Sequence, residues 1–288
     1  MERIKQDAAR LERECYVSTP HCGNSETIDC VAGVASAEDD RPFAIPVPAE
    51  HMFQQAPGGL LYRLFEIFIA ATAFVLTLPI MLVVALIIYL DTSGPVLFFQ
   101  KRMACSKIKP GRELVGRTDI RPPEGGFEPD RLYFVPTTFR FIKFRTMYVD
   151  ARERFPELYD YTYMKANHNG MYRLMEDPRV TPAGRRLREL TLDELPNFWN
   201  VLAGDMRLVG PRPEVPYVMR AYSPEMMVKF TVKPGITGLA QTNGRARLSL
   251  EEVVNYDLEY IRECKTVWYD IKILFRTLWL VLMRHGAF

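Results

Sequence analysis

Closely spaced cysteines are missing from the 288 residues: Cys15, Cys22, Cys30, Cys105 and Cys264 are odd in number and scattered. That excludes a disulfide framework, fits reduced cytoplasmic thiols, and leaves Cys15, His21, Cys22 and Cys30 a poor zinc set. Net charge is also small, +2 from 37 basic and 35 acidic residues, and no RNA- or DNA-binding motif occurs, so no nucleic-acid partner is expected. There is no Walker or dinucleotide fingerprint and no internal repeat. The first fifteen residues are charged and lack an apolar core, so no signal peptide is expected there.

What charge there is falls unevenly. Residues 1–59 hold five basic and ten acidic residues, leaving 32 against 25 in the remainder. The body is therefore basic and suits an anionic partner such as phosphate or a lipid surface. Residues 1–59 read as a poorly ordered acidic leader, rich in Ser, Gly and Pro after residue 17.

Residues 67–90, "IFIAATAFVLTLPIMLVVALIIYL", form 24 residues without a charge. That exceeds the roughly 18 that flag a membrane segment. Pro79 divides the run into halves of about 17 Å each, against about 30 Å of hydrocarbon. Two forms are open: a kinked spanning helix, or a re-entrant one that enters and leaves by one face. Thr77 is placed to offer its hydroxyl to a carbonyl freed by the proline. Basic residues flank both ends (Arg63; Lys101, Arg102, Lys107, Lys109), and this symmetry favours the re-entrant form. At the other end of the chain, residues 266–288 combine Trp268, Tyr269 and Trp279 with spaced Lys272, Arg276 and Arg284. They fit either an interfacial helix or a core helix.

"PVLFFQKR" (95–102) and "FRFIKFRTM" (139–147) read as short strands, with 103–136 a Gly- and Pro-rich surface insertion between them. In an extended strand Lys143 and Arg145 share a face and can clamp a diphosphate. Residues 150–176 read as helical. Thr181-Pro182 opens a further helix, whose Arg188 lies five residues ahead of Asp193.

"TLDELPNFWNVLAGDMRLVGPRP" (191–213) carries adjacent acids, Asp193 and Glu194. Thr191 and Glu194 have capping-box spacing, which alone would explain acids at a helix start. Leu192, Leu195, Trp199 and Leu202 make an apolar stripe expected to face the core. Asp193, Asn197 and Asn200 make a second, polar stripe that suits a phosphate site. Arg212 is held between two prolines in a stiff loop. "KPGITGLAQTNGR" (233–245) reads as a Gly/Pro loop able to approach phosphate, with Gln241 and Arg245; Asp257 follows within "NYDLEY".

Five blocks in this order resemble the bacterial sugar transferase family, the monotopic polyprenyl-phosphate phosphoglycosyl transferases. They are the proline-broken segment leading to "LDTSGPVLFFQKR", "KFRTM", "LRELTLDELPNFWNVLAGDMRLVGPRPE", "KPGITGLAQTNGR" and "WYDIKIL". The resemblance covers residues 60–288. It implies an α+β fold, mostly helical and membrane-associated, with a re-entrant helix (60–93), a cytosolic catalytic domain (94–288), interfacial amphipathic helices and a few short strands.

The activity implied is transfer of a sugar-1-phosphate from a UDP-sugar to undecaprenyl phosphate, the first membrane step of exopolysaccharide assembly. It would proceed at the cytoplasmic face of the bacterial inner membrane, in contact with lipid. Asp193 matches the family nucleophile and Glu194 the ligand for Mg²⁺. Arg212 matches the arginine of the family's Pro-Arg-Pro loop, associated with the nucleotide. Lys143, Arg145, Arg188, Asn200, Gln241, Arg245 and Asp257 complete the candidate substrate-binding set, and the family leaves room for a homodimer. The alternative is a non-catalytic scaffold or regulator of polysaccharide assembly. Three departures stand out: Leu78 precedes Pro79 where the family commonly has serine, the 103–136 insertion is long, and the leader 1–59 has no family counterpart.

Overall fold

A computed structural model describes residues 44–47, 59–123, 125–159, 176–216, 226–244, 248–263 and 266–283. The Cys15, His21, Cys22 and Cys30 set and Arg245 lie outside the described residues, as do most of the leader and 160–175. In chain order the elements are β1 (Ile45–Pro46), α1 (Leu60–Asp91), β2 (Leu97–Met103), β3 (Lys107–Pro110), β4 (Leu132–Val135) and β5 (Thr138–Phe144). There follow α2 (Ala151–Arg154), α3 (Pro182–Glu189), α4 (Asn197–Ala203), β6 (Arg207–Val209), β7 (Gly235–Thr237), α5 (Leu239–Asn243), α6 (Leu250–Glu263) and α7 (Val267–Leu282). This is an α+β chain in which helices outweigh three small sheets.

β2 and β5 pair antiparallel, Phe98 opposite Lys143 and Arg102 opposite Phe139, as the two short strands expected. The segment between them is more than a surface loop. β3 pairs with β4, and β4 with β1, so Ile45 and Pro46 of the expected leader complete a three-stranded sheet. Leu114, Ile120, Tyr133 and Val135 give that sheet an apolar core of its own. The main core joins Phe139 and Phe141 to Val201, Leu208, Met227, Phe230, Leu258 and Ile273. Of the helix expected over 150–176, the described part is α2, ending at Arg154, and a 3₁₀ turn from Pro156 to Tyr159; residues 160–175 of that expectation lie outside the described residues. Thr181 caps α3 as expected, its Oγ1 accepting from Gly184 N at 2.9 Å.

β6 and β7 run parallel, and glycines bring them together. A Cβ on Gly235 would lie 2.1 Å from Gly210 N, and one on Gly238 would lie 2.3 Å from Gly210 O. The expected loop 233–245 is therefore a strand and a short helix. Gly235 and Gly238 admit neighbouring backbone, which accounts for these two glycines without a ligand.

α1 is one helix of 32 residues, unbroken at Pro79. The expected break is absent because proline removes only its own N–H, and the uncharged residues around it have no other backbone partners in apolar surroundings. The Thr77 hydroxyl donates to Ala73 O (2.7 Å) and Phe74 O (3.3 Å), an ordinary back-bond that leaves the freed Val75 carbonyl alone.

Both arms of α1 touch the same body. Tyr62, Glu66 and Ala70 are buried at one end, Val84 and Ile88 at the other, while Val75, Leu76, Leu82 and Val83 between them are exposed. Glu66 fixes the first arm: its Oε1 accepts from Arg207 Nε (3.2 Å) and Leu208 N (3.1 Å). Tyr62 donates to buried Asp270, which also accepts from Tyr260 at 2.8 Å, tying α1 to α6 and α7. The second arm packs on Phe144 and Leu187, and Arg145 donates to the carbonyls of Thr92 (2.7 Å) and Ser93 (2.8 Å) just past the helix end.

α7 reconciles its two expectations. Asp270 and Ile273 are buried against the body, while Trp268, Phe275, Leu278 and Trp279 stand exposed on the remaining surface. The helix is both a packing element and an apolar surface.

Because Glu66 is a buried partner of Arg207, its removal takes a carboxylate away from a buried cation. Glu66→Ala is expected to destabilise the detergent-solubilised protein by about 3 kcal/mol, and Glu66→Gln by less, in thermal unfolding. Equal unfolding temperatures for Glu66→Ala and the parent would contradict this role.

Candidate active site

Asp193 and Glu194 do not sit in a capped α-helix. Thr191 adopts φ 57° and ψ 22°, the left-handed region, and makes no side-chain cap. It is the one non-glycine residue with positive φ among those described. Asp193 and Glu194 then fall in a 3₁₀ turn (Leu192–Glu194), with α4 starting only at Asn197 after Pro196. The capping box is thus absent, and a residue costing about 1–3 kcal/mol in backbone strain precedes the acid pair. Such strain persists where the surroundings over-determine it, here between α3 and the turn.

The polar stripe is buried: Asp193 is 8 % exposed and Asn197 and Asn200 1 % each. The apolar stripe does not all face the core. Trp199 is 53 % exposed and meets Phe74 of α1 at 6.2 Å between ring centroids, so that side of α4 faces the apolar helix. The sequence pattern separated the two faces correctly but could not tell a core from a neighbouring apolar helix.

Three expected cations gather around the acids. Arg212 donates from Nη2 to Glu194 Oε1 at 2.9 Å, and Glu194 is what chiefly holds its proton more firmly than usual. Burial weakens the proton affinity of Arg188, while Asp193 opposes it; its Nε donates to Thr146 Oγ1 at 2.9 Å. Lys143 is half-buried. Burial pulls its ammonium down to about 8, against the opposing charges of Asp193 and Glu194 and with the help of Arg188 and Arg102. Arg188, Lys143 and Arg212 all feel Asp193.

Other expected binding residues are placed differently. Arg145 lies past the end of β5, and two backbone carbonyls of the α1 terminus occupy its guanidinium, so it does not join Lys143. Asn200 is spent on β5: its Oδ1 accepts from Ile142 N (3.2 Å), and its Nδ2 donates to Arg140 O (2.8 Å) and Asp205 Oδ2 (3.1 Å). It therefore fixes the strand that carries Lys143. Gln241 keeps both amide atoms buried without a protein partner, as a group reserved for a ligand would. Asp257 is buried behind Arg212, and burial raises its carboxyl to about 6 against the pull of Lys229.

Four charged residues of this neighbourhood are not singled out by any local pattern. Arg102 donates to Pro213 O at 3.0 Å and steadies the Pro-Arg-Pro loop. Glu214 and Lys229 pair at 3.1 Å, and Lys229 reaches Asp257 at 2.9 Å. Glu66, further off, is the last charge before the apolar run. For Lys229 the available signal is a lone cation inside "MMVKFT".

No group of three or more metal-ligating side chains gathers among the described residues. A closed protein cage for a metal is therefore not what these residues make. Adjacent carboxylates fit Mg²⁺ in its usual manner, one or two protein oxygens completed by water and substrate phosphate.

The family model for bacterial sugar transferases matches residues 58–110 and 126–284, passing over most of the small sheet's connecting segment. A UDP-galactose-lipid carrier transferase of Erwinia amylovora is 33% identical over 278 residues, 94% of this chain and 52% of that protein. An undecaprenyl-phosphate galactose phosphotransferase of Salmonella typhimurium is 40% identical over 52% of this chain and 32% of its own length. The exopolysaccharide production protein ExoY of Rhizobium meliloti is 28% identical over 88% of this chain and 99% of its own length. The chain thus spans about half the length of the Erwinia relative and less of the Salmonella one.

A lysine drawn down to about 8 is charged below that pH and neutral above it. Pyrophosphate binding, measured by calorimetry, is expected to weaken as pH rises through 8. In Lys143→Arg, whose cation stays charged, binding should hold beyond pH 9. Identical pH profiles for the two proteins would remove Lys143 from the anion site.

Proposed function

The chain belongs to the bacterial sugar transferase family, and from that membership we propose that it moves a sugar-1-phosphate from a nucleoside diphosphate sugar to a polyprenyl phosphate. The observation that carries the proposal is a buried Asp193 beside Glu194, ringed by Lys143, Arg188 and Arg212, in a body that also carries the apolar helix α1. The Erwinia relative's name supports a uridine diphosphate donor, and the Salmonella relative's name supports undecaprenyl phosphate as acceptor.

The reaction divides in two. An Asp193 carboxylate oxygen attacks the phosphorus that bears the sugar. A P–O bond forms, the bridging P–O bond breaks, and the nucleoside monophosphate leaves with the bridging oxygen and its electron pair. An oxygen of the polyprenyl phosphate then attacks the same phosphorus, and the carboxylate of Asp193 departs intact. Repulsion between anionic reactants is the main barrier, and Lys143, Arg188 and Arg212 are the preorganised charges that lower it. Mg²⁺, held by Glu194 and substrate phosphates, would supply further charge neutralisation. Arg212 is well suited to pass from Glu194 to the diphosphate as donor binds.

α1 is proposed to dip into one leaflet and to keep both ends on the cytoplasmic side. A straight helix of 32 residues would be about 48 Å long, more than enough to cross, but a spanning helix leaves one end far from a body on the other side. Burial of both arms against one body, with exposed apolar residues between, supports the re-entrant form. The exposed face of α7 is proposed to lie in the interface plane.

Two experiments test this reading. Purified protein given polyprenyl phosphate and a panel of nucleotide sugars is expected to release nucleoside monophosphate with one of them. Asp193→Asn should lower that rate at least ~10³-fold while unfolding at the parent temperature. Parent-like turnover in Asp193→Asn would refute the assignment. With the native cysteines replaced by serine, cysteines introduced at positions 59 and 93 are expected to react with an impermeant reagent from the same side of sealed vesicles; reaction from opposite sides would establish a spanning helix.

A further inference from the structure

Behind the acid pair lies a chain of paired charges, partly exposed at Arg212 and fully buried at its far end, that continues away from the acids. Glu194 pairs with Arg212, the Arg212 guanidinium also feels Glu214, Glu214 pairs with Lys229, and Lys229 pairs with Asp257. These residues come from the 3₁₀ turn at 192–194, the Pro-Arg-Pro loop, a second 3₁₀ segment (Met226–Thr231) and α6. Lys229 is the deepest of them, its side chain 0 % exposed. Its ammonium stands 3.1 Å from Glu214 Oε1 and 2.9 Å from Asp257 Oδ2, a single cation shared by two acids.

That arrangement decides how Arg212 is divided. Glu214 follows Pro213 directly, and Met103 N donates to its carbonyl at 2.7 Å, so its backbone is tied close to Arg212. Burial alone would push the Glu214 carboxyl up; Lys229, then Arg102 and Arg212, outweigh it and hold it below its ordinary value. Without Lys229, the Glu214 carboxylate would turn to the cations left, and Arg212 is one of them. A buried acid that loses its partner recruits any cation within reach, since leaving it bare costs several kcal/mol.

We propose that Lys229 is a positioning residue: by neutralising Glu214 and Asp257 from behind, it leaves Arg212 committed to Glu194 and available to the donor's diphosphate. The proposal rests on the phosphoglycosyl transfer assigned above and adds a residue that touches neither substrate. A purely structural lysine would owe its effect to packing, and charge balance elsewhere would not restore what its loss removes.

The test uses the full chain in detergent with the nucleotide sugar it turns over. Donor affinity is read by calorimetry and kcat/KM by nucleoside monophosphate release. Lys229→Met is expected to weaken both roughly 100-fold, the scale of an unpaired buried charge. Lys229→Met/Glu214→Gln, which removes the competitor for Arg212, should recover at least tenfold of that loss. Lys229→Arg keeps the charge and should stay within about threefold of the parent. A double variant as poor as the single one at equal unfolding temperature would overturn the proposal, and so would a parent-like Lys229→Met. If Lys229→Met does not fold, Lys229→Arg and the double variant are compared directly with the parent: activity near the parent's in both supports the proposal, and a 100-fold loss in both overturns it. Failure of the parent to release nucleotide from any donor would sink the transfer assignment instead, and calorimetry with donor would still test Lys229.

Discussion

Two acids in one tight turn, Asp193 buried and Glu194 partly exposed, concentrate negative charge where water is scarce, and much of this molecule is arranged around that charge. Asp193 and Glu194 are adjacent in a tight turn, so neither can move away. Their surroundings answer with Lys143 from β5, Arg188 from α3 and Arg212 from a proline-bounded loop. Each cation is supported in turn: Asn200 fixes the strand of Lys143, Thr146 receives Arg188, and Arg102 with the Glu214–Lys229–Asp257 group steadies the loop of Arg212. Charge density of this kind adds little to stability and is well suited to a polyanionic substrate, where excess positive potential is wanted once phosphate arrives.

The apolar helix obeys a different constraint. A run of 24 uncharged residues cannot be fixed to a soluble body through its middle, so its ends carry the attachment. Glu66 and Tyr62 hold one end through Arg207 and Asp270, and Arg145 holds the other through two carbonyls. α3, the acid-bearing turn and α4 lie between these attachments in the chain's packing, with Leu187 and Leu192 against the second arm and Trp199 against Phe74. The acid-bearing turn is therefore built on the same helices that hold the apolar segment. Under the proposed function, that arrangement would bring a lipid phosphate and a water-soluble donor to one turn.

What could be read in the sequence follows from the range of each signal. The apolar run, the β2 and β5 strands, the Thr181 cap and the division of α4 into apolar and polar faces depend on local periodicity, and local periodicity survives folding. The capping box did not form because Thr191 turned left-handed, a choice made by the packing of α3 against the turn. Arg145 and Asn200 looked like ligand residues because their types suit phosphate; both were claimed by backbone groups more than fifty residues away. The glycines of 233–238 had a structural neighbour no pattern could name. Lys229, Glu214 and Glu66 were passed over for the complementary reason, since each is a single charge whose partners are distant in sequence. The small sheet of residues 44–47 and 107–135 was hidden because its first strand is two residues long.

Everything proposed for the site requires that an oxygen of Asp193 become bonded to phosphorus. The most direct measurement is intact-protein mass spectrometry after brief incubation with a turned-over nucleotide sugar and no acceptor. The account predicts one added sugar-phosphate mass, located on residue 193 by peptide mapping and discharged when polyprenyl phosphate is supplied. An unmodified protein under conditions where nucleoside monophosphate accumulates, or an adduct mapped to another residue, would contradict it.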